Sequence, residues 1–309
     1  MSGPVRGAAG GIMNNAQIGF FVVLGLMAVV FHITWFRAAR RHQKEGPKPL
    51  DFGVAGLTAF LDTLGIGSFA PTTALFKLFR MVPDELIPGT LNVGLAWAAI
   101  AESLIFVKSV VVEPTLLASV IGSAVIGSWF GAGVVRRLPR RSIQFAMGTA
   151  LLIAASIFIG VSLNLLPGGG EAMALGGWRF AVAVGTNFIY GALMTVGIGL
   201  FAPCMITLAL LGMAPIAAFP IMMGACGLVQ MVGGMRLLES GKVAFGTAIG
   251  MAIGSLVGVA IAAFIVKSLP LGALRWLVIG VVTYAAMAML RSALTESRSV
   301  ATAQPVRVP

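Results

Sequence analysis

The sequence predicts an all-α integral membrane protein of seven, and up to nine, transmembrane helices built as two inverted repeats, each beginning with a helix broken by glycine and proline. Three observations lead there. Hydrophobic residues make up 58% of the 309 positions and charged ones 10%, at a mean hydropathy of +0.99. That is more apolar surface than one soluble core can hide. Seven apolar runs are each long enough to cross about 30 Å of hydrocarbon. Finally, "LDTLGIGSFAP" at 61–71 returns as "LMTVGIGLFAP" at 193–203, with eight of eleven positions identical at an offset of 193 − 61 = 132.

The first run, 17–36, follows "MSGPVRGAAGGIMNNAQ" and precedes "RAARRHQK", the reverse of a secretory signal, whose positive region comes first. It is expected to stay as a span with its N-terminus outside, and residues 1–51 form this helix and a basic cytoplasmic loop. The first repeat, 52–166, holds the motif-bearing stretch 52–80 and spans at 89–108, 115–135 and 143–166. The second, 179–291, holds the stretch 179–211 and spans at 214–235, 243–266 and 273–290. Residues 292–309 form a cytoplasmic tail.

Lysine and arginine concentrate on the cytoplasmic side of short loops, which distinguishes two topologies. If all nine segments cross, 12 of the 21 basic residues lie inside. If the two motif stretches enter and return on one side, 16 lie inside and 5 outside. The returning arrangement has an odd number of crossings per half, so the second half is inverted, the plan of many secondary transporters. At the same offset Pro83 meets Pro215, Pro88 meets Pro220 and Gly148 meets Gly280.

Proline lacks a backbone donor and paired glycines ease departure from helical geometry, so Gly65, Gly67 and Pro71, with Gly197, Gly199 and Pro203, predict two local breaks. Within lipid, such breaks are tolerated where they face protein or a wet cavity, so they are expected to face one another. Half-helices starting near Pro71 and Pro203 would aim unpaired N–H groups and positive dipole ends into that space, which suits a small anion. Ser68, Thr72, Thr73, Thr90 and Asn92 of the first half, and Cys204, Thr207 and Gln230 of the second, supply hydroxyl, thiol and amide groups at comparable depth. The alternative is a pair of packing kinks, with these side chains bonded to their own backbone.

Asp62 stands in an apolar stretch where a carboxylate is costly, with Met194 as its counterpart. Three roles stay open: proton coupling, capping of the half-helix, and pairing with a base such as Lys77. Glu102 and Lys108 are expected at the outer end of their span, where snorkelling is cheap. The net charge of +11 falls in short clusters between apolar runs, an orientation signal rather than a nucleic-acid surface. No Walker loop, metal-ligand spacing or hydrolytic triad occurs, so no enzyme, cofactor or metal is expected.

With these residues in view, the duplicated "GIGSFAP" and "GIGLFAP" in a chain of seven to nine spans resembles the sulfite exporter TauE/SafE family of membrane permeases, from residue 52 onward. It departs from the family's pattern at Ser68 and Phe69 and at "GTLN", 89–92. The resemblance implies a multi-pass cell (inner) membrane protein that moves sulfite, a sulfonate or another small organic anion, commonly outward and driven by protons. The expected partners are thus the lipid bilayer, the anion and the proton, with a homodimer compatible and no nucleic acid. Two other classes stand beside this: an anion channel of the same architecture, and a thiol–disulfide electron carrier. The latter would place one cysteine in each half, whereas Cys204 and Cys226 both lie in the second and Thr72 matches Cys204.

Overall fold

The computed structural model describes residues 15–42, 45–64, 66–109, 112–135, 137–165 and 170–265, with scattered positions between 279 and 294. Gly65, much of the expected span 273–290 and nearly all of the tail 292–309 lie outside the described residues. The helices are α1 Asn15–His42, α2 Pro49–Thr63, α3 Phe69–Phe79, α4 Ile87–Gly94, α5 Ala96–Ser109, α6 Pro114–Val135, α7 Arg140–Ser162, α8 Gly177–Met194, α9 Phe201–Leu210, α10 Pro215–Glu239 and α11 Phe245–Ile265. A 3-10 turn, Asp84–Leu86, leads into α4.

Among the described residues, five segments are long and apolar enough to cross a membrane: Gln17–His42, Asp84–Lys108, Pro114–Val135, Ala217–Glu239 and Phe245–Ala263. The chain is an all-helical protein of membrane-compatible composition, with no strand among the described residues. Large apolar side chains cover the outside of these helices, Leu26 and Val29 on α1 and Phe130 and Val134 on α6 among them, as lipid contact requires.

Local chemistry sets the helix starts. Pro49 opens α2 at a position where its missing N–H costs nothing, and Asp51 reaches back to accept from the Lys48 amide at 2.7 Å. At the start of α6 the cap runs forward instead, Glu113 just before the helix accepting from the amides of Leu116 at 2.6 Å and Thr115 at 2.9 Å. Those bonds, Leu116's above all, hold its carboxyl below the usual carboxylate range. Between α4 and α5 the ladder continues through Leu95, whose amide donates to the Leu91 carbonyl and whose carbonyl accepts from Ala99. The two therefore act as one span.

One pair of helix starts matches the sequence offset. Phe69 starts α3 and Phe201 starts α9, 201 − 69 = 132 residues apart. The packing is reciprocal: α2 lies mainly along α11, and α8 along α6. In both pairs backbone touches backbone, because a Cβ on Gly258 would fall 2.0 Å from the Gly56 carbonyl oxygen and one on Gly191 would fall 1.9 Å from that of Ala124. The enclosed helix α10 packs on α1, α4, α5, α6 and α9.

Each motif makes the chain double back. In a straight helix Thr58 and Thr72 would be about 21 Å apart, yet their hydroxyls lie 2.8 Å apart. Tyr190 and Thr207, about 25 Å apart in a straight helix, meet at 2.6 Å. Three further contacts bring helix ends together. Gln17 at the start of α1 donates to the Val107 carbonyl near the end of α5 at 2.8 Å. Thr90 in α4 accepts from the Ala244 amide just before α11 at 3.0 Å. Arg236 near the end of α10 donates to the Trp129 carbonyl in the last two turns of α6 at 2.6 Å.

Candidate functional site

The two breaks share one kind of closing hydrogen bond. The Ile66 amide donates to the Leu61 carbonyl at 3.0 Å, and the Ile198 amide to the Leu193 carbonyl at 3.2 Å. These six-to-one closures end α2 and α8, with Gly197 at φ +99° supplying the left-handed turn of the second. The next helices begin two residues before the motif prolines. Pro71 and Pro203 therefore sit in the first turn of α3 and α9, where the helix has no use for their N–H. They start the second arm of each hairpin, and the glycines make the break.

The breaks face one another. Gly67, at φ +90°, has its would-be Cβ 3.8 Å from the Phe201 Cβ, and Gly199 has its own 3.2 Å from the Phe69 Cβ. Each motif's glycine thus packs on the first residue of the other motif's half-helix. Beside this crossing lies a cavity of about 490 Å³. Its walls carry Asp62, Gly67, Ser68, Gly197, Gly199, Pro203 and Gln230, with Phe69 and Phe201 at the two half-helix starts. A largely apolar wall comes from α7, from Phe145 to Ile157, and Tyr190 and Cys226 complete it. Among the described lining residues there is no lysine, arginine or histidine.

Asp62 is the one acidic residue among the described residues of that wall. Its Oδ2 accepts from the Ser68 hydroxyl at 2.5 Å, and Ser68 immediately precedes α3. Lys77 does not reach it: its ammonium is 2.8 Å from both Asp84 carboxylate oxygens, and Gln144 also donates to Asp84 at 2.7 Å. Pairing with Lys77 is therefore replaced by a contact with the half-helix start. Gln230 is fully buried on the same wall, and its Oε1 has no partner among the described residues. A buried amide oxygen left without a donor is costly.

Other polar residues of the motifs serve the scaffold. Thr72 lies behind the cavity, bonded to the Ser68 carbonyl and to Thr58. Thr73 is buried beside it. Thr90 ties α4 to the start of α11, and Asn92 bridges the carbonyls of Pro88 and Met194 at 2.8 and 3.0 Å. Cys204 is buried near Asn187, and Thr207 holds Tyr190. Both cysteines are free thiols.

Glu102 lies elsewhere than at an outer interface. It is 1% exposed and accepts from the Thr63 hydroxyl at 2.8 Å, next to Asp62 in the chain. Lys108, six residues on, is exposed. The signal was present in the sequence, since an acid well inside an apolar span is a functional pointer by default. Cys226 and the α7 wall gave no comparable signal: an apolar residue facing a cavity has the same pattern as one facing lipid.

No protein-family model, curated protein or solved structure matches the chain.

Proposed function

We propose that the chain is a secondary transporter of a small anion, moved with a proton through the cavity between the two broken helices. The observation that carries this is the reciprocal crossing of Gly67 on Phe201 and Gly199 on Phe69 beside a cavity that also exposes Asp62. Two half-helix starts, α3 and α9, border one space, and their unpaired amides favour negative charge. No basic side chain stands on the described wall to neutralise an anion, and an ionised Asp62 would repel one. Anion and proton therefore bind together. The resemblance of the duplicated motif to TauE/SafE permeases adds sulfite, sulfonates and related organic anions as the class to try first, with export as the direction.

The proposed topology has seven crossings and two hairpins that enter and return, in the inner membrane, with the N-terminus outside and the C-terminus cytoplasmic. The doubling back of α3 on α2 and of α9 on α8 supports it. So do the bonds of Gln17 to Val107, Thr90 to Ala244 and Arg236 to Trp129, because each would join opposite faces if all nine segments crossed. Single cysteines within 81–88 or 168–177, in a background lacking Cys204 and Cys226, are expected to react with an impermeant maleimide from outside only in the second loop. Labelling of the first loop would overturn the arrangement.

The function is tested on the purified protein. A thermal-shift screen against sulfite, thiosulfate, short sulfonates and carboxylates finds the ligand, since binding at 100 times Kd stabilises by about 2.7 kcal/mol. In proteoliposomes that anion is expected to accumulate against its own gradient when a pH gradient is imposed. Flux that only runs downhill and does not saturate would make the protein a channel.

A further inference from the structure

We infer that Asp62 and Glu102 form one coupled proton-binding pair, with Asp62 as the member open to the cavity and Glu102 as the sheltered member behind it, joined through Thr63. Glu102 is 1% exposed and Asp62 9%, and Glu102 Oε1 lies 2.8 Å from the hydroxyl of Thr63, the residue next to Asp62 in the chain. Two buried carboxylates at close quarters cannot both stay ionised without a compensating cation.

Among the described residues, the surrounding elements supply no such cation. Helix α11, packed along α2 and against α5, has no ionisable residue within Phe245–Ile265, and α4 has none. On α3, Lys77 is held by Asp84, and on α5 Lys108 is exposed. On α1, His32 lies edge-on to Trp97 and contacts the Ala28 carbonyl, while Arg37, Arg40, Arg41 and His42 sit at the far end of the helix. On α10, Arg236 donates to Trp129 and Glu239 is at the helix end. Asp51 of α2 is spent on the Lys48 amide. Among the described residues, the Cys226 thiol is a further titratable group, on the same cavity wall as Asp62.

Hydrogen counting points the same way. Thr63 has one hydroxyl hydrogen but two acceptors in reach, the Ala59 carbonyl at 2.9 Å and Glu102 Oε1 at 2.8 Å. A proton on Glu102 resolves the excess: Glu102 donates to Thr63, and Thr63 donates to Ala59. On the cavity side, Gln230 Oε1 has no partner among the described residues and is a second acceptor on the wall that carries Asp62. The proton arrives from water in the cavity, forms an O–H bond on one carboxylate and returns to water when that bond breaks, so no other reactant is involved. Its use in transport rests on the transporter reading, whereas its binding does not.

The test is infrared difference spectroscopy of the full chain in liposomes during a pH titration, following the C=O stretch of protonated carboxyls, with no transported anion present. The pair is expected to give two separated steps in the wild type. Asp62→Asn and Glu102→Gln should each remove one step and shift the survivor's midpoint by about one pH unit or more. A survivor that titrates as in the wild type overturns the coupling. If Glu102→Gln does not fold, Thr63→Val is measured instead: a displaced Glu102 band with the Asp62 band in place supports the bridge, and an unchanged spectrum overturns it. Bands that respond to sodium at fixed pH rather than to protons also overturn the inference. Intact coupled titration with no anion transport would sink the transporter reading alone, and transport without coupled titration would sink the pair alone.

Discussion

Replacing either crossing glycine with valine, Gly67→Val or Gly199→Val, is expected to abolish both the anion-induced thermal shift and transport, while the protein remains folded and dispersed in detergent. The causes differ between the halves. Gly67 has φ +90°, a region where a β-branched residue is a severe outlier, and holding one there costs about 1–3 kcal/mol. Gly199 lacks that backbone strain, but its Cβ would be 3.2 Å from the Phe69 Cβ, so valine's methyls would push the start of α3 away from the cavity. Alanine separates the two effects. Gly67→Ala should lower the melting temperature by the equivalent of about 1–2 kcal/mol, whereas Gly199→Ala requires Phe69 to give by a few tenths of an ångström and should mainly weaken binding. If one valine variant transports at the wild-type rate, that half does not form part of the site.

The repeated motif was legible because its chemistry is local. The six-to-one closure and a proline in the next first turn are dictated within eleven residues and occur in both motifs, whereas the positive φ falls at Gly67 in the first and at Gly197, not at Gly67's counterpart Gly199, in the second. Facing breaks followed from the rule that irregular backbone in lipid must meet protein or water. The roles of the small polar residues were less legible. A threonine can bond its own preceding turn or line a cavity with the same sequence around it, and Thr72 and Thr90 do the former. Glu102 was misjudged because its place near the end of an apolar run, with Lys108 beyond it, suggested a boundary, whereas tertiary packing buries it against Thr63 of α2. The α7 wall was invisible for a related reason. Phe145 and Met147 belong to one apolar run, and only tertiary packing decides that Met147 is buried while Phe145 is half-exposed.

Asp62→Asn is expected to keep anion exchange and counterflow within a few-fold of the wild type and to lose accumulation driven by a pH gradient. Asparagine preserves the shape and still accepts from the Ser68 hydroxyl, which in the native protein is 2.5 Å from Oδ2, but it cannot titrate. Stability separates this from the competing role, in which an ionised Asp62 serves only to hold the start of α3. That role depends on a hydrogen bond to a charged group, worth about 1.5–3 kcal/mol, and its loss would lower the melting temperature while coupling survived. A proton carrier gives the reverse pattern. Asparagine then resembles the protonated form, and it also relieves the cost of burying a charge that no lysine or arginine of the described wall offsets. The melting temperature should therefore hold or rise as pH-driven uptake disappears. Undiminished pH-driven accumulation by the Asn variant would remove Asp62 from the mechanism.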